Sequence, residues 1–316
     1  MEWNVLISCP HLQRAIEQYR PIFEKNSIVI EVPQVSQQLT ESELLKIIDR
    51  YDGIIAGDDK FTAKVLEKAV RLKIISKWGV GIDAIDLEAA KRLGIRVSNT
   101  PNVFSDEVAD LVMGYIIALV RKTHIIDRKV RAGEWNTAQV QGRSLRGKVL
   151  GVIGIGSVGR AVVERAVTIG MVVIGYDVFP IAEEFVQRTG MSQVSLDELL
   201  RSADVISINC NLTRENYHML SSREFSIMKD QVIIINTARG PLIDEEALIQ
   251  NLQKGKVAGA ALDVFENEPL SDENPLRNFE NCILSAHNSS NTYEAVMRVN
   301  ELAIRNLING FNGRDL

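Results

Sequence analysis

Hydrophobic and polar positions alternate between two patterns along the first third of the chain. Short apolar runs at residues 5–8, 28–32, 53–56, 72–76 and 96–98 predict strands, and amphipathic stretches at 11–19, 40–50, 62–69 and 86–93 predict helices between them. Such alternation is typical of a parallel sheet covered by helices. We therefore expect a first α/β domain over residues 1–100.

A long apolar helix is predicted at residues 105–121, followed by a second helix at 125–132. The apolar positions of the first helix cover more than one face, so it lies either deep in a core or half-covered by another subunit. We expect this helix to form the interface of a homodimer. Trp135, in the loop that follows, is either an interface anchor or a locally packed aromatic residue.

The alternation of strands and helices resumes after residue 148. Apolar runs predict strands at 149–153, 171–176, 205–208, 232–236, 257–262 and 283–285, and helices are predicted at 158–169, 196–201, 221–228 and 245–254. This number of strands suffices for a complete doubly wound nucleotide-binding sheet over residues 101–290. A terminal amphipathic helix is predicted at 293–311.

A glycine-rich turn after the strand at 149–153 predicts a dinucleotide site. Gly154, Gly156 and Gly159 have G-x-G-x-x-G spacing, which provides a tight turn, a close approach of pyrophosphate to the backbone, and a helix packed close to the sheet. The helix start then directs its amides at the phosphates. Asp177 ends the next strand, where its carboxylate can bind a ribose diol and repel a 2′-phosphate. The pattern therefore favours NAD over NADP.

Composition and charge exclude several classes of function. The chain of 316 residues is 46% hydrophobic and 24% charged, as in ordinary globular proteins, and its net charge of −5 gives no basic surface for nucleic acid. Its longest apolar stretch, residues 111–120, is far below the ~20 residues that cross a membrane. The widely spaced Cys9, Cys210 and Cys282 predict neither a disulfide framework nor a metal site. Because a signal peptide is also not recognised, we expect a cytoplasmic protein.

Three further polar patterns stand at predicted strand ends, where ligands bind in open α/β sheets. Arg239 offers a guanidinium fork that can bind a carboxylate through two hydrogen bonds, although a surface arginine at a strand end would look the same. Glu268 and His287 could form an acid–base pair in which the carboxylate orients the imidazole. The sequence by itself is equally compatible with the alternative that Glu268 is a solvated loop residue and His287 a polar strand-end residue, with no contact between them.

These residues belong to a wider resemblance that covers nearly the whole chain. The sequence resembles the D-isomer-specific 2-hydroxyacid dehydrogenase family and is phosphoglycerate dehydrogenase-like. The matching segments are SKWGVGID at 76–83, NTPN at 99–102, the glycine loop at 154–159, TARG at 237–240, LDVF at 262–265, EP at 268–269, and His287. The resemblance implies two doubly wound parallel-sheet domains. A Rossmann NAD-binding domain at 101–290 is inserted in a flavodoxin-like substrate domain at 1–100 and 291–316.

The resemblance also implies a set of functional residues. The catalytic residues would be Arg239, Glu268 and His287. The cofactor contacts would be Gly154, Gly156, Ser157, Val158, Gly159, Asp177, Cys210, Thr237, Ala238, Arg239, Asp263 and His287. The substrate contacts would be Lys77, Val80, Gly81, Asn102 and Arg239, with the carboxylate held by the amides of Val80 and Gly81.

The reaction implied is hydride transfer between NAD and a D-2-hydroxy acid or its 2-keto acid. We take 3-phosphoglycerate as the first candidate substrate, because members acting on it carry a cation where Lys77 stands. The alternative is a reductase of glyoxylate, hydroxypyruvate or another 2-keto acid. A formate dehydrogenase is disfavoured because that branch has Gln in place of Glu268. An NAD-sensing protein of the corepressor type is a further alternative from a different class.

The chain departs from the family pattern at three positions. Asn211 stands where a proline usually follows the residue matching Cys210, and Ser289 stands where a glycine usually follows two residues after His287. Trp78 replaces a commonly small residue. We expect the first two changes to alter loops on the cofactor side and the third to narrow the substrate pocket.

Overall fold

A computed structural model of the chain describes residues 2–35, 37–135 and 138–314. Its strands are β1 (Trp3–Ile7), β2 (Ile28–Glu31), β3 (Gly53–Ala56), β4 (Ile74–Lys77), β5 (Arg96–Ser98), β6 (Val149–Ile153), β7 (Val172–Tyr176), β8 (Ser192–Gln193), β9 (Val205–Ile208), β10 (Val232–Asn236), β11 (Val257–Leu262) and β12 (Cys282–Leu284). Its α-helices are α1 (Pro10–Arg14), α2 (Ile16–Lys25), α3 (Glu41–Ile47), α4 (Ala63–Lys68), α5 (Leu87–Arg92), α6 (Ser105–Arg121), α7 (Thr123–Arg131), α8 (Ser157–Thr168), α9 (Glu183–Thr189), α10 (Leu196–Ser202), α11 (Ser222–Ile227), α12 (Glu245–Gln253) and α13 (Tyr293–Phe311).

These elements form two compact units. The first comprises Met1–Val103 and Asn291–Leu316, and the second comprises Phe104–Ser290. The sequence places the corresponding boundaries after residues 100 and 290. Across the described ranges, no helix combines the length and the apolar character that a membrane crossing requires.

The first unit is built on a parallel sheet of five strands in the order β2-β1-β3-β4-β5. The central strands β3 and β4 are buried along their whole length, which explains their almost continuous apolar runs. Helix α13 packs on these two strands. A Cβ on Gly310 would lie 2.0 Å from Ile74 Cδ1, so the glycine allows this close approach. The C-terminal helix thereby completes the core of the first unit.

The second unit is built on a parallel sheet of seven strands in the order β12-β11-β10-β9-β6-β7-β8. The order reverses at β6, the strand that carries the glycine-rich turn. This reversal is the switch point at which dinucleotides bind in doubly wound folds. Helices α6 and α8 pack together in the core on one side of the sheet, while residues of α10, α11 and α12 form a second core cluster. The predicted fold class, two doubly wound parallel-sheet units, is confirmed.

The structure differs from the sequence prediction in three elements. The helix predicted at 11–19 is two helices, because Ala15 takes non-helical torsions (φ −106°, ψ 6°) between α1 and α2. Helix α9 and strand β8 were not predicted. Only Phe185 of α9 is buried, and both residues of β8 are exposed polar side chains at the sheet edge. Neither element therefore carries an apolar pattern.

Candidate active site

The glycine-rich turn between β6 and α8 has the geometry that a dinucleotide needs. Gly154 has a φ of +88°, and a Cβ there would lie 2.6 Å from the Cys210 backbone nitrogen. A Cβ on Gly159 would lie 2.0 Å from the Gly154 oxygen, so α8 can approach the turn only without a side chain. In contrast, a Cβ on Gly156 would meet no atom within 4 Å. The space beside Gly156 is therefore open to a pyrophosphate.

The start of α8 and the end of β7 complete this turn. Gly156 is the N-cap of α8 and leaves the first amides, beginning with Ser157 and Val158, without a side-chain cap. Asp177 Oδ2 accepts a hydrogen bond from the Ile155 amide (2.7 Å), and its Oδ1 accepts one from the Phe179 amide (3.0 Å). Asp177 is thus fixed beside the turn, where the residues present fit a bound NAD.

The segment after β9 carries Cys210, a predicted cofactor contact. Burial raises the pKa of the Cys210 thiol to about 11. The Asn216 side chain organises this segment: its Nδ2 donates to the Asn211 carbonyl (2.8 Å), and its Oδ1 accepts from the Thr213 amide (2.7 Å). The family usually has a proline at the position of Asn211. The backbone carbonyl of a proline could accept the same hydrogen bond from Asn216, so this contact does not depend on the asparagine side chain. The sequence analysis did not identify Asn216, because no motif marks an asparagine whose side chain bonds to the backbone of its own loop.

His287 and Glu268 are brought together in the second unit. His287 Nδ1 lies 2.8 Å from Glu268 Oε2, and both side chains are partly buried. The second oxygen of Glu268 accepts a hydrogen bond from the Phe265 amide (3.0 Å), which fixes the carboxylate. The pairing that the sequence left open is therefore present. The contact at Nδ1 fixes the orientation of the imidazole ring.

Asp263 anchors the segment that carries His287. Its side chain is fully buried and accepts hydrogen bonds from the amides of Asn288 (2.8 Å) and Ser289 (2.9 Å). Its carbonyl accepts the His287 amide (2.8 Å). His287 itself has a φ of +50°, an uncommon conformation that these bonds hold in place. Ser289 contributes its backbone amide, which any residue but proline supplies, so the missing glycine costs no contact here.

Arg239 follows β10 in a tightly bonded turn that also contains Thr237 and Ala238. Asn236 Nδ2 donates to the Arg239 carbonyl (2.8 Å), and Asn236 Oδ1 accepts the Ala238 amide (3.0 Å). The guanidinium donates from Nη1 to the Ala238 carbonyl (2.8 Å). These hydrogen bonds fix the backbone of the turn that carries Arg239.

A second polar group joins the Arg239 and Glu268 segments. His218 Nε2 lies 2.9 Å from Glu266 Oε1, and the His218 amide donates to the Pro241 carbonyl (2.8 Å). Asp244 lies in the same group, with all three ligand atoms within 4.8 Å of one another. Its oxygens already accept from the Ala247 amide and the Ser221 hydroxyl. We interpret the group as a support for the two segments, which the sequence analysis did not identify.

The remaining predicted residues lie in the first unit at the carboxyl ends of its strands. Lys77 is the last residue of β4, and Val80 and Gly81 follow it. The Val80 carbonyl accepts a hydrogen bond from Asn99 Nδ2 (2.7 Å), which ties this segment to the one after β5. Asn102, on that second segment, is exposed and has a φ of +59°.

Trp78 packs inside the first unit. Its ring stacks on His11, with centroids 4.5 Å apart and planes 9° from parallel. Its Nε1 donates to Asn300 Oδ1 on α13 (2.7 Å). The side chain, which directly follows β4, is thus fixed between α1 and the terminal helix.

Comparison with known proteins reveals extensive similarity. Residues 113–289 match the family model described as D-isomer specific 2-hydroxyacid dehydrogenase, NAD binding domain. The chain is 39% identical to a glyoxylate reductase of Thermofilum pendens, over 85% of this chain and 81% of that protein. It is also 36% identical to a D-3-phosphoglycerate dehydrogenase of Archaeoglobus fulgidus. That match covers 98% of this chain but only 58% of the other protein, which is longer. Its fold resembles that of a D-lactate dehydrogenase of Aquifex aeolicus, solved in complex with NAD and lactic acid. The TM-score is 0.87, with 29% identity, and the match covers 98% of this chain and 96% of that one.

Proposed function

Because the chain belongs to the D-isomer-specific 2-hydroxyacid dehydrogenase family, we propose that Arg239, Glu268 and His287 catalyse its reaction. The protein is an NAD-binding oxidoreductase that acts on small 2-hydroxy or 2-keto acids. The observation that carries the assignment of residues is the 2.8 Å contact between His287 Nδ1 and Glu268 Oε2. A histidine oriented in this way is a suitable general acid and base.

Each of the three side chains has a distinct role in this proposal. His287 accepts the hydroxyl proton at Nε2 during oxidation and returns it to the carbonyl oxygen during reduction. Glu268 stabilises the imidazolium and fixes its tautomer. Arg239 binds the substrate carboxylate or carbonyl and stabilises negative charge that develops on oxygen. Bound NAD supplies the hydride acceptor, or as NADH the donor.

The proposed cofactor contacts surround the turn of the second unit. Gly154, Gly156 and Gly159 shape the turn, Ser157 and Val158 offer amides to the phosphates, and Asp177 binds the ribose diol. Further contacts are proposed for Cys210, Thr237, Ala238, Arg239, Asp263 and His287. The open space at Gly156 supports this assignment.

Two substrate classes fit the activity. A phosphorylated hydroxy acid is suggested by the cation at Lys77 and by similarity to the phosphoglycerate dehydrogenase. An unphosphorylated 2-keto acid is suggested by similarity to the glyoxylate reductase. Val80, Gly81, Asn102 and Arg239 remain the proposed substrate contacts in either case, and Lys77 is a further proposed contact for a phosphorylated acid.

The test is a panel of 2-hydroxy and 2-keto acids assayed by nicotinamide absorbance. We expect turnover of at least one acid at an ordinary enzymatic rate, and a fall in kcat of about two to four orders of magnitude for His287→Ala. Absence of turnover with every acid would favour the NAD-sensing alternative. Full activity of His287→Ala would disprove its catalytic role.

We also propose a homodimer and a cytoplasmic location. Eight residues of α6 are buried within the second unit itself, so less of its apolar surface is left for a partner than the sequence suggests. Ile117 on α6, Val130 on α7 and Trp135 are nevertheless exposed large hydrophobic side chains in one stretch of chain. The three free cysteines are in keeping with a reducing compartment.

A further inference from the structure

Lys77 already has an anionic partner within the first unit. Its Nζ lies 3.1 Å from Asp58 Oδ1 and donates a hydrogen bond to the Trp78 carbonyl at 2.8 Å. The Lys77 side chain is 5% exposed, whereas that of Asp58 is 40% exposed. The ammonium is therefore covered, while the carboxylate that pairs with it is partly exposed.

A second acidic side chain, that of Asp59, lies close to this lysine. Asp59 is fully buried and accepts hydrogen bonds from the Ser8 hydroxyl (2.6 Å) and from the amides of Leu39 (2.6 Å) and Gly57 (3.0 Å). Burial raises the pKa of Asp59, while the nearby Lys77 lowers it and Asp58 raises it. Both aspartates thus act electrostatically on the same small region as Lys77.

These charges disfavour a dianion beside Lys77. A phosphate group would have to displace Asp58 from the ammonium and would remain close to both aspartates. Like charges at short range in a partly buried site are strongly unfavourable. An uncharged substrate group would leave the Asp58–Lys77 pair intact.

We propose that Asp58 is a specificity-determining residue, which occupies Lys77 and excludes 2-keto and 2-hydroxy acids that carry a terminal phosphate. The natural substrate is then a small acid with an uncharged side chain. This inference rests on the proposed function and selects one of its two substrate classes.

The experiment compares two substrates that differ only by the phosphate group. The kcat/KM values for reduction of hydroxypyruvate and of 3-phosphohydroxypyruvate with NADH are measured for the wild type and for Asp58→Asn. We expect the wild type to prefer hydroxypyruvate. In Asp58→Asn, Lys77 loses its anionic partner, and the ratio of the phosphorylated to the unphosphorylated value should rise at least tenfold. A ratio does not depend on the fraction of folded enzyme.

Three control variants separate charge at this site from other effects. Asp58→Glu keeps the carboxylate and should keep the wild-type ratio. Asp49→Asn removes the same charge from an exposed residue that precedes β3, at the opposite end of the strand from Asp58. This variant should also keep the wild-type ratio. Asp58→Asn combined with Lys77→Gln should lose the gain, because the cation itself is gone.

Binding provides a readout that does not need turnover. Calorimetry of 3-phosphoglycerate with the enzyme–NADH complex should give a Kd at least tenfold lower for Asp58→Asn than for the wild type. The role of Asp58 would be overturned if the enzyme reduced hydroxypyruvate but Asp58→Asn changed neither the kcat/KM ratio nor the Kd of 3-phosphoglycerate. It would also be overturned if the wild type preferred the phosphorylated acid. Either result would leave the proposed function intact. A lack of turnover with every acid would instead overturn the proposed function.

Discussion

Gly240 lies directly against the backbone of Phe265. A Cβ on Gly240 would fall 1.9 Å from the Phe265 carbonyl carbon, a distance that no side chain can occupy. Arg239 precedes this glycine, and the Phe265 amide holds the Glu268 carboxylate. Two of the three proposed catalytic side chains therefore stand on backbone segments that touch each other. Their relative position depends on the absence of one methyl group.

Gly240→Ala should therefore separate these segments and impair catalysis. A displacement of about 1 Å in a reacting group costs on the order of 100-fold in rate, so we expect kcat to fall by about that factor. Gly114→Ala is the control, because a Cβ there meets nothing within 4 Å. Steady-state kinetics on both variants, with circular dichroism to verify folding, makes the test. Wild-type kcat in a folded Gly240→Ala enzyme would show that the contact does not position the site.

Asp177 should set the choice between NAD and NADP. Its carboxylate is expected to disfavour a 2′-phosphate by at least tenfold in kcat/KM, which corresponds to ~1.4 kcal/mol. Because Asp177 also accepts the Ile155 amide, Asp177→Asn is the sharper variant: it removes the charge and keeps an acceptor oxygen. The NAD/NADP ratio should fall in this variant. Equal kcat/KM values for the two cofactors in the wild type would contradict the assignment.

The thiol of Cys210 should report on cofactor binding. Its pKa is raised to about 11 by burial, so at pH 8 only about one thiol in a thousand is ionised and alkylation is slow. The rate should rise about tenfold per pH unit up to pH 10, and NAD should reduce it. Iodoacetamide labelling followed by peptide mass spectrometry measures this, with the more deeply buried Cys9, whose pKa burial raises to about 12, as the internal control. Labelling of Cys210 that NAD does not slow would remove it from the cofactor contacts.

The homodimer can be tested through its exposed apolar side chains. Trp135 is 87% exposed and Ile117 is 41% exposed in the single chain. Light scattering at micromolar concentration should give about twice the chain mass of 35.2 kDa, and Trp135→Asp with Ile117→Lys should shift the mass toward one chain. Val70→Lys, at an exposed position of the first unit, should leave it unchanged. A wild-type mass of 35.2 kDa would refute the dimer.

Much of the fold follows from local patterns. The buried strands β3, β9, β10 and β11 have apolar runs whose ends coincide with the observed strands, because both faces of a central parallel strand need apolar side chains. Strand β8 had no such signal, since an edge strand of two exposed residues is defined only by its neighbour β7. The break at Ala15 had no sequence signal either, because alanine is the residue that most favours a helix.

The site was predictable to a different extent. The glycine spacing and the residues at strand ends could be located, because parallel strands present their carboxyl ends on one edge of the sheet. Two pairings could not be predicted from the sequence, that of His218 with Glu266 and that of Lys77 with Asp58, because each joins residues that are far apart along the chain. Lys77 illustrates the difference: its charge was evident from the sequence, but its partner, which changes the chemistry of the position, was not.

The pairing of His287 with Glu268 makes a prediction about pH. In the proposed mechanism, reduction of a keto acid requires a protonated His287, and the adjacent carboxylate stabilises that imidazolium. Glu268→Gln keeps the size of the side chain but removes the charge, so the imidazolium should lose its proton at a lower pH. The limb on which reduction declines as pH rises should therefore move to lower pH, and the limb on which oxidation increases should move with it.

The kinetic measurement is kcat against pH in both directions for the wild type and for Glu268→Gln. Glu266→Gln is the matched control, because Glu266 lies two residues away and pairs with His218 instead. We expect that variant to keep the wild-type limbs even if its kcat is lower. The shift distinguishes an electrostatic role of Glu268 from mere support of the segment, which would lower kcat at every pH without moving either limb. A Glu268→Gln profile of unchanged shape would show that the 2.8 Å contact orients the ring but does not tune its proton.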